Sequence, residues 1–381
     1  MGLSQLRTGG AAAAANALRR ALGVLWLADA LVKILIPFGD RAGGQWYEQI
    51  MTAETGPPGL HYFLAWETNL FAAHPFLWWL PAGVELCIGG WLVTRPASRS
   101  ALAVSAAWAL MVWVAGEGIG GLFGGASSVL SGYPGAALLY GVAAAVLFPA
   151  RKPQEAAAAA AEAGLLGLYW SRVAWLALWT GAAFYTALPQ TGDGGLVFML
   201  STSQSEAPAP LRSLDASELR WLTVGHATIL GITVAVACLA VGFTVFLGAL
   251  PRLFLSLSLL LALAGWVAME NLGGILTGSS ADVGTGPVLI LLALAFWPLA
   301  GTRRWRARMR APPGRGHCPH PSARRSRRPG PTRPADRGHC EATAAAGNRR
   351  SSAPAASSSP PSRPRSPAAR RRRPASPRRP S

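Results

Sequence analysis

One stretch of fifteen residues occurs twice in the amino-acid sequence, and this repeat constrains the fold more than any other feature. Residues 113–127 and 266–280 lie 153 residues apart and are identical at eight of fifteen positions. Pro134 and Pro287, which follow the two stretches, keep the same offset. Self-similarity at a fixed period indicates a structural unit that is used more than once. The sequence therefore predicts two tandem copies of one unit.

Each copy of the repeat carries one glutamate, Glu117 or Glu270, in an apolar stretch that then breaks into glycines. A charged side chain in such a segment is costly, and it is a functional-site hypothesis by default. We predict that the two carboxylates lie at equal depth and form one shared site across the axis that relates the copies. The alternative is that each glutamate is protonated or caps its own broken helix.

The first 300 residues have the hydrophobic pattern of a membrane protein. They contain apolar runs of about 17 to 25 residues, the length that a helix needs to cross a bilayer. We predict an all-α polytopic membrane protein with two tandem four-helix bundles, at residues 1–150 and 172–301, and a cytoplasmic linker at 151–171. Its eight transmembrane helices are predicted at residues 21–37, 76–94, 101–116, 134–148, 173–188, 222–247, 253–270 and 287–300.

The basic residues of the loops agree with this topology. Lys and Arg collect on cytoplasmic loops, and the predicted outer segments contain only Arg41, Arg212 and Arg220. The chain is therefore predicted to be a multi-pass plasma-membrane protein with both termini cytoplasmic. Apolar stretches in the two outer segments, residues 60–66 and 196–200, are too short to span and are predicted to lie at the membrane interface.

Residues 302–381 differ sharply in composition from the rest of the chain. The formal net charge is +18, but residues 301–381 contain 22 Arg and two acids, whereas residues 1–300 contain 13 basic and 15 acidic residues. An Arg, Pro and Ser-rich segment of this kind cannot bury a core and is predicted to be disordered. Its charge favours anionic lipid of the inner leaflet as a partner. No specific nucleic-acid partner is predicted, because the positive charge is confined to this tail.

The first copy contains more polar residues within its predicted spans than the second. Asp29 and Lys33 lie four residues apart on one helix, so they share a face, and Glu85 lies near the middle of the next helix. The matching positions of the second copy are apolar or small, namely Ala182, Thr186 and Ala237. Ionisable residues within spans usually pair with each other. We therefore predict that Lys33 pairs with Asp29 or Glu85, and an ion-pair network that only holds the helices together is the alternative to a functional site.

His74 and His226 fall at matching positions near the outer ends of two predicted helices. One histidine in each copy does not make a metal site, and a hydrogen bond at a helix end is the favoured role. The His and Cys residues of the tail have no zinc-binding spacing. No metal site is predicted.

Residues 22–33 and 84–95 together resemble the DoxX-like membrane family. That family has a four-helix unit, a Lys that closes helix 1, and a Glu-Leu-x-x-Gly-Gly run that ends in Thr-Arg on helix 2. The matching residues here are Lys33, Glu85, Gly89, Gly90, Thr94 and Arg95. The resemblance covers residues 15–150 and extends by internal repeat to 170–300, where the Lys and Glu are absent. It implies an association with redox chemistry, because the family includes the DoxD-type small subunit of a thiosulfate:quinone oxidoreductase.

Three functions remain open at this point. The first is a redox-associated membrane subunit with quinone as the candidate cofactor and a redox protein as partner. The second is a transporter of a small molecule or an ion, which duplicated bundles with glycine-broken helices would suit. The third is a membrane scaffold without chemistry. No catalytic motif is present, so the isolated chain is not expected to be an enzyme by itself, and no catalytic residue is assigned.

Overall fold

The computed structural model describes residues 3–35, 57–120, 122, 132, 134–150, 157, 159–187, 207–222, 226–276 and 282–299. These residues form helices and turns, with no strand among them, which confirms the predicted all-α class. Two short 3₁₀ helices, Pro75–Trp78 and Ala161–Ala163, accompany ten α-helices in the described part of the chain. The α-helices are α1 (Leu3–Leu35), α2 (Pro58–Ala73), α3 (Trp79–Thr94), α4 (Arg99–Ala115), α5 (Ala136–Val146), α6 (Gly167–Ala187), α7 (Ala209–Trp221), α8 (Ala227–Leu247), α9 (Pro251–Ala268) and α10 (Thr285–Ala295).

A helix lies at each of the eight positions where the sequence predicts a span. Two of them, α8 and α9, are long and apolar enough to cross a membrane. Four shorter apolar helices, α3, α4, α5 and α10, have 11 to 17 residues. The coarse prediction of apolar, membrane-compatible helices is therefore confirmed for α8 and α9, and the count of eight spans stays a prediction.

Helix α1 begins at Leu3, well before the predicted start at residue 21. The reason is an alanine-rich run, which has high helix propensity and small side chains that pack closely. Ala11 and Ala15 are buried in α1, and Ala160 and Ala161 are buried in the linker. Since the 3₁₀ helix at Ala161–Ala163 contacts α1, the described part of the linker belongs to the packed core.

The internal repeat is visible in how the helices pack. The pair α1 and α3 corresponds to α6 and α8, and the pair α4 and α5 corresponds to α9 and α10. Gly89 lets α3 approach α1, since a Cβ there would lie 2.7 Å from the Gly23 carbonyl oxygen, and Gly242 holds the equivalent position 153 residues later, where a Cβ would lie 3.1 Å from Cβ of Trp179. The offset of 153 residues thus holds for the first helices of each copy, so Glu85 corresponds to Cys238 and the match with Ala237 expected from the sequence is wrong by one residue.

The offset changes before the last helix of each copy. The Trp113 indole N–H donates to the carbonyl of Pro134, and the Trp266 indole N–H donates to the carbonyl of Val283, at 2.8 Å in both cases. Pro134 therefore corresponds to Val283, 149 residues later, and the equivalence of Pro134 with Pro287 expected from the sequence is wrong. The second copy has four fewer residues between its glycine turn and its last helix.

Two further helices, α2 and α7, lie between the predicted spans. The stretch 60–66, predicted to be interfacial, lies within α2, where Leu64 is buried while Tyr62 and Trp66 are exposed. The stretch 196–200 lies outside the described residues, as does the predicted disordered tail, residues 302–381.

The two copies belong to one compact unit, Met1–Arg315. They meet where α10 of the second copy packs against α1 and α5 of the first. This junction brings the polar residues of the first copy next to the glycine-rich turn of the second.

Candidate functional site

Glu117 and Glu270 lie just beyond the ends of α4 and α9 and cap the helices that follow. Oε1 of Glu117 accepts a hydrogen bond of 2.8 Å from the N–H of Ala137, at the start of α5. Glu270 accepts one of 2.8 Å from the N–H of Thr285, at the start of α10, and a second from the Thr285 hydroxyl. A carboxylate at a helix N-terminus satisfies N–H groups that have no partner within the helix. Both glutamates therefore have the capping role that was the alternative to a shared site, although each caps the next helix rather than its own.

The two glutamates differ in what their second oxygen contacts. Both oxygens of Glu270 accept hydrogen bonds from Thr285. Oε2 of Glu117 is buried and has no hydrogen-bond partner among the described residues. Position 136 of the first copy is an alanine where the second copy has Thr285, so the first copy lacks the hydroxyl. Glu117 is thus the carboxylate that retains an unused acceptor.

The turns that carry these glutamates have a left-handed backbone. Gly118, Ile119 and Gly120 have φ values of 53°, 61° and 63°, and residues 271–274 of the second copy have φ values of 49° to 69°. Left-handed residues cost about 1–2 kcal/mol each for side chains with a Cβ. The turns end the helices and direct the chain back over the glutamate.

The glycine turn of each copy reaches into the other copy. Gly132 of the first copy lies beside Glu270, whose Oε1 would be 3.4 Å from a Cβ at that position. Gly135, whose N–H donates to the Gly132 carbonyl at 2.7 Å, lies against Glu117. Both carboxylates therefore contact the same short turn, which brings the sequence-predicted pair into one region without a direct bond between them.

Asp29 makes the reciprocal contact from the first copy. Its Oδ1 accepts a hydrogen bond of 2.8 Å from the N–H of Val283, which precedes α10 of the second copy. Asp29 is 1% exposed. The side chain therefore fastens α1 to the second copy, and it does not serve only within its own bundle.

Lys33 and Glu85 form a buried ion pair. Nζ of Lys33 lies 2.9 Å from Oε2 of Glu85, which confirms the prediction that Lys33 pairs with one of two carboxylates. Trp108 of α4 interacts with Glu85, and Tyr140 of α5 lies beside Asp29. The polar residues of the first copy are thus contributed by all four of its core helices.

Asp282 is a member of this cluster that sequence reasoning missed. Its carboxylate lies within electrostatic range of Asp29, Lys33, Glu85, Glu117 and Glu270. It occupies the residue before Val283, and its Oδ1 accepts from the N–H of Gly284 at 2.7 Å. An alignment of Gly284 with Gly135 could have identified Asp282 from the sequence. The expected equivalence of Pro134 with Pro287 gave a different alignment.

The two histidines lie outside this cluster. His226 stacks on Trp221 with ring centroids 4.6 Å apart, and its Nδ1 lies 2.8 Å from the Trp221 carbonyl oxygen, which confirms a helix-end hydrogen bond there. His74 follows α2 and packs edge-on against Phe76. In α2, burial raises the pKa of Glu67 to about 7, so this carboxyl changes charge near neutral pH.

Within the described residues, no three His, Cys, Asp or Glu side chains are grouped so that they could hold a metal ion. What the arrangement can do chemically is hold and exchange protons, since its members are carboxylates, one lysine and one phenol. Comparisons with protein-family models, with curated proteins and with solved structures found no match to this chain.

Proposed function

We propose that the chain is a multi-pass plasma-membrane protein of the DoxX-like kind, with eight spans and both termini cytoplasmic. We further propose that it serves as the redox-associated, quinone-linked membrane subunit of a larger system. The electrons would come from a redox partner protein, and the tail at residues 302–381 would bind anionic lipid of the inner leaflet. The resemblance at Lys33 and Glu85, which form an ion pair, supports the family proposal.

The observation that carries this proposal is the excess of carboxylates at the junction of the two copies. Five acids gather around the one lysine of this cluster, namely Asp29, Glu85, Glu117, Glu270 and Asp282. Reduction of a quinone to a quinol takes up two electrons and two protons, so a quinone site within a membrane needs groups that deliver protons. Ionisable residues inside a membrane protein commonly form such proton relays.

Glu117 is the residue best suited to meet the quinone. Its free Oε2 is buried and can accept a hydrogen bond from a quinol hydroxyl, or donate one to a quinone carbonyl when it is protonated. Glu270 has both oxygens engaged by Thr285, so it would act mainly by holding the turn.

We expect the purified full-length protein to bind a short-chain quinone, detected by quenching of tryptophan fluorescence. Glu117→Gln should weaken the binding at least about tenfold, because a hydrogen bond to a charged group is worth about 1.5–3 kcal/mol. Glu270→Gln should have a smaller effect. The control is Glu218→Gln in α7, which lies on a different surface helix and should bind quinone as the unsubstituted chain does. If both Glu117→Gln and Glu270→Gln leave binding and its pH dependence unchanged, the repeat is architectural and the quinone proposal fails.

Transport is the second candidate function. It is favoured by the contact that each copy makes with a carboxylate of the other copy. Each copy reaches a carboxylate of the other, through Gly132 to Glu270 and through Val283 to Asp29. A movement of one copy against the other would therefore change both contacts, as in transporters built from parallel repeats. Proton or ion flux in proteoliposomes without any quinone would support transport over the redox role. A protein that neither binds quinone nor conducts, yet crosslinks to a stable partner, would instead be a scaffold.

The proposed topology makes a separate prediction. Reporter fusions placed after Asp193 and after Arg304 should report opposite sides of the membrane, since three predicted spans, an odd number, lie between the two positions. Asp193 would be outside and Arg304 would be in the cytoplasm, as the loop charges require. Two reporters on the same side would contradict the eight-span arrangement.

A further inference from the structure

Two carboxylates from different copies meet on neighbouring backbone amides. Oδ1 of Asp29 accepts from the N–H of Val283 at 2.8 Å, and Oδ1 of Asp282 accepts from the N–H of Gly284 at 2.7 Å. Because successive amides of one chain are adjacent, the two carboxylates must lie close together. One comes from the middle of α1, and the other comes from the segment that leads into α10.

A buried phenol points into the same place. Tyr140 is 1% exposed, and its ring packs against Trp26 with centroids 4.2 Å apart. Its hydroxyl lies beside the Asp29 carboxyl but outside normal hydrogen-bond geometry, and it has no hydrogen bond to any described residue. Buried hydroxyls normally have a partner. A hydrogen bond between the Tyr140 hydroxyl and the Asp29 carboxyl would satisfy both buried groups.

The charges around Asp29 come from every element packed against it. Lys33 lies on the same helix, Glu85 on α3, and Asp282 before α10, while Tyr140 on α5 is neutral. Glu117 and Glu270 are further carboxylates of the same cluster. Lys33 is within 2.9 Å of Glu85, so its charge is shared with that partner. A negative charge on Asp29 is therefore favoured by Lys33 and opposed by Asp282, by Glu85 and by burial.

We propose that Asp29 is a proton-binding site closed by the second copy, in which Asp29 holds a proton while Val283 and Asp282 are docked against it. Oδ1 accepts from the Val283 amide, and the protonated Oδ2 donates to the hydroxyl oxygen of Tyr140. Oδ1 of Asp282 accepts from the Gly284 amide. When Asp29 releases its proton, it repels Asp282 and weakens the attachment of the second copy's turn to α1. This site requires no quinone and no partner protein, so it goes beyond the proposed function and does not depend on it.

The proton can be observed directly in the purified full-length protein reconstituted in lipid. The infrared spectrum at neutral pH should contain the C=O stretch of a protonated carboxylic acid, which shifts on exchange into deuterium oxide. Asp29→Asn should remove one component of this band, while the components from other protonated carboxyls, such as that of Glu67, persist. Tyr140→Phe should move the frequency of the Asp29 component without removing it, because the ring still packs against Trp26 while the hydrogen bond is lost. Glu218→Gln in α7 is the matched control and should leave the band unchanged.

A second measurement separates a proton site from a purely structural contact. Hydrogen exchange at the amides of residues 283–286 should be slow at pH 6. Between pH 6 and pH 9 its rate should increase at least about tenfold more than the rate in α8, which reports the base-catalysed increase alone. In Asp29→Asn the amide side chain cannot ionise, so the slow exchange should persist at pH 9. An acid band of unchanged shape and intensity in Asp29→Asn would overturn the proposal. Equal pH dependence of exchange in the variant and the unsubstituted protein would also overturn it, since Asp29 would then be a permanently ionised cap.

Discussion

Replacing Lys33 with Met is expected to destabilise the folded protein by about 3–5 kcal/mol, the cost of removing one partner from a buried ion pair. Nζ of Lys33 lies 2.9 Å from Oε2 of Glu85, and Glu85 is 1% exposed. The loss leaves Glu85 in an apolar interior without its counter-charge, in a cluster that also contains the carboxyl groups of Asp29 and Asp282. The unfolding midpoint in detergent, followed by tryptophan fluorescence against denaturant, should fall accordingly.

The double variant Lys33→Met with Glu85→Gln tests whether the pair itself carries this effect. Removing both charges abolishes the uncompensated carboxylate, so the double variant should be more stable than Lys33→Met alone, with a coupling energy of at least about 1 kcal/mol. Arg220→Met in α7 is a suitable control, because Arg220 is exposed and should contribute less than about 1 kcal/mol. A double-mutant cycle with no coupling would contradict this prediction. It would show that Lys33 and Glu85 contribute to stability independently, although their charged atoms lie 2.9 Å apart.

The positions of the eight predicted helices could be derived because each contains an apolar run bounded by polar or glycine-rich residues, whereas α2 and α7 were not predicted as helices. Membrane-compatible helices follow local composition, and α8 and α9 are clear examples. The Lys33–Glu85 pair could be predicted for a related reason: a charge within an apolar helix must find a partner, and few candidates exist. These inferences use only local sequence and a general energetic rule.

The contacts between the copies could not be predicted in the same way. Asp29 bonds to Val283 across 254 residues, and nothing in either local segment indicates the other. The four-residue shortening before α10 also changed the register, so the positional match at Pro287 was misleading. The two copies also differ in the polar residues that they contribute to the cluster. With an offset of 149 residues for the last helix, Tyr140 corresponds to Leu289, so the second copy lacks the phenol as well as the counterparts of Asp29 and Lys33.

The glycine that begins the segment into each last helix should be among the least replaceable residues of its copy. Gly135 and Gly284 have φ values of 99° and 81°, a conformation that residues with a Cβ rarely adopt. A Cβ on Gly135 would overlap Oε2 of Glu117, and a Cβ on Gly284 would overlap Oε2 of Glu270. Each substitution would therefore strain the backbone and displace the carboxylate that caps the next helix.

We expect Gly135→Ala and Gly284→Ala each to lower the stability by about 2–5 kcal/mol, the sum of about 1–2 kcal/mol for a left-handed residue and about 1–3 kcal/mol for buried groups left unsatisfied. Gly90→Ala in α3 is the matched control, since a Cβ there meets nothing within 4 Å. It should be neutral or stabilising by about 0.5–1 kcal/mol, because alanine favours a helix over glycine. Unfolding midpoints of the three variants in the same detergent provide the comparison. If Gly135→Ala or Gly284→Ala were as stable as Gly90→Ala, the carboxylates of Glu117 and Glu270 would not lie against these glycines. The capping arrangement that the two copies share would then be wrong.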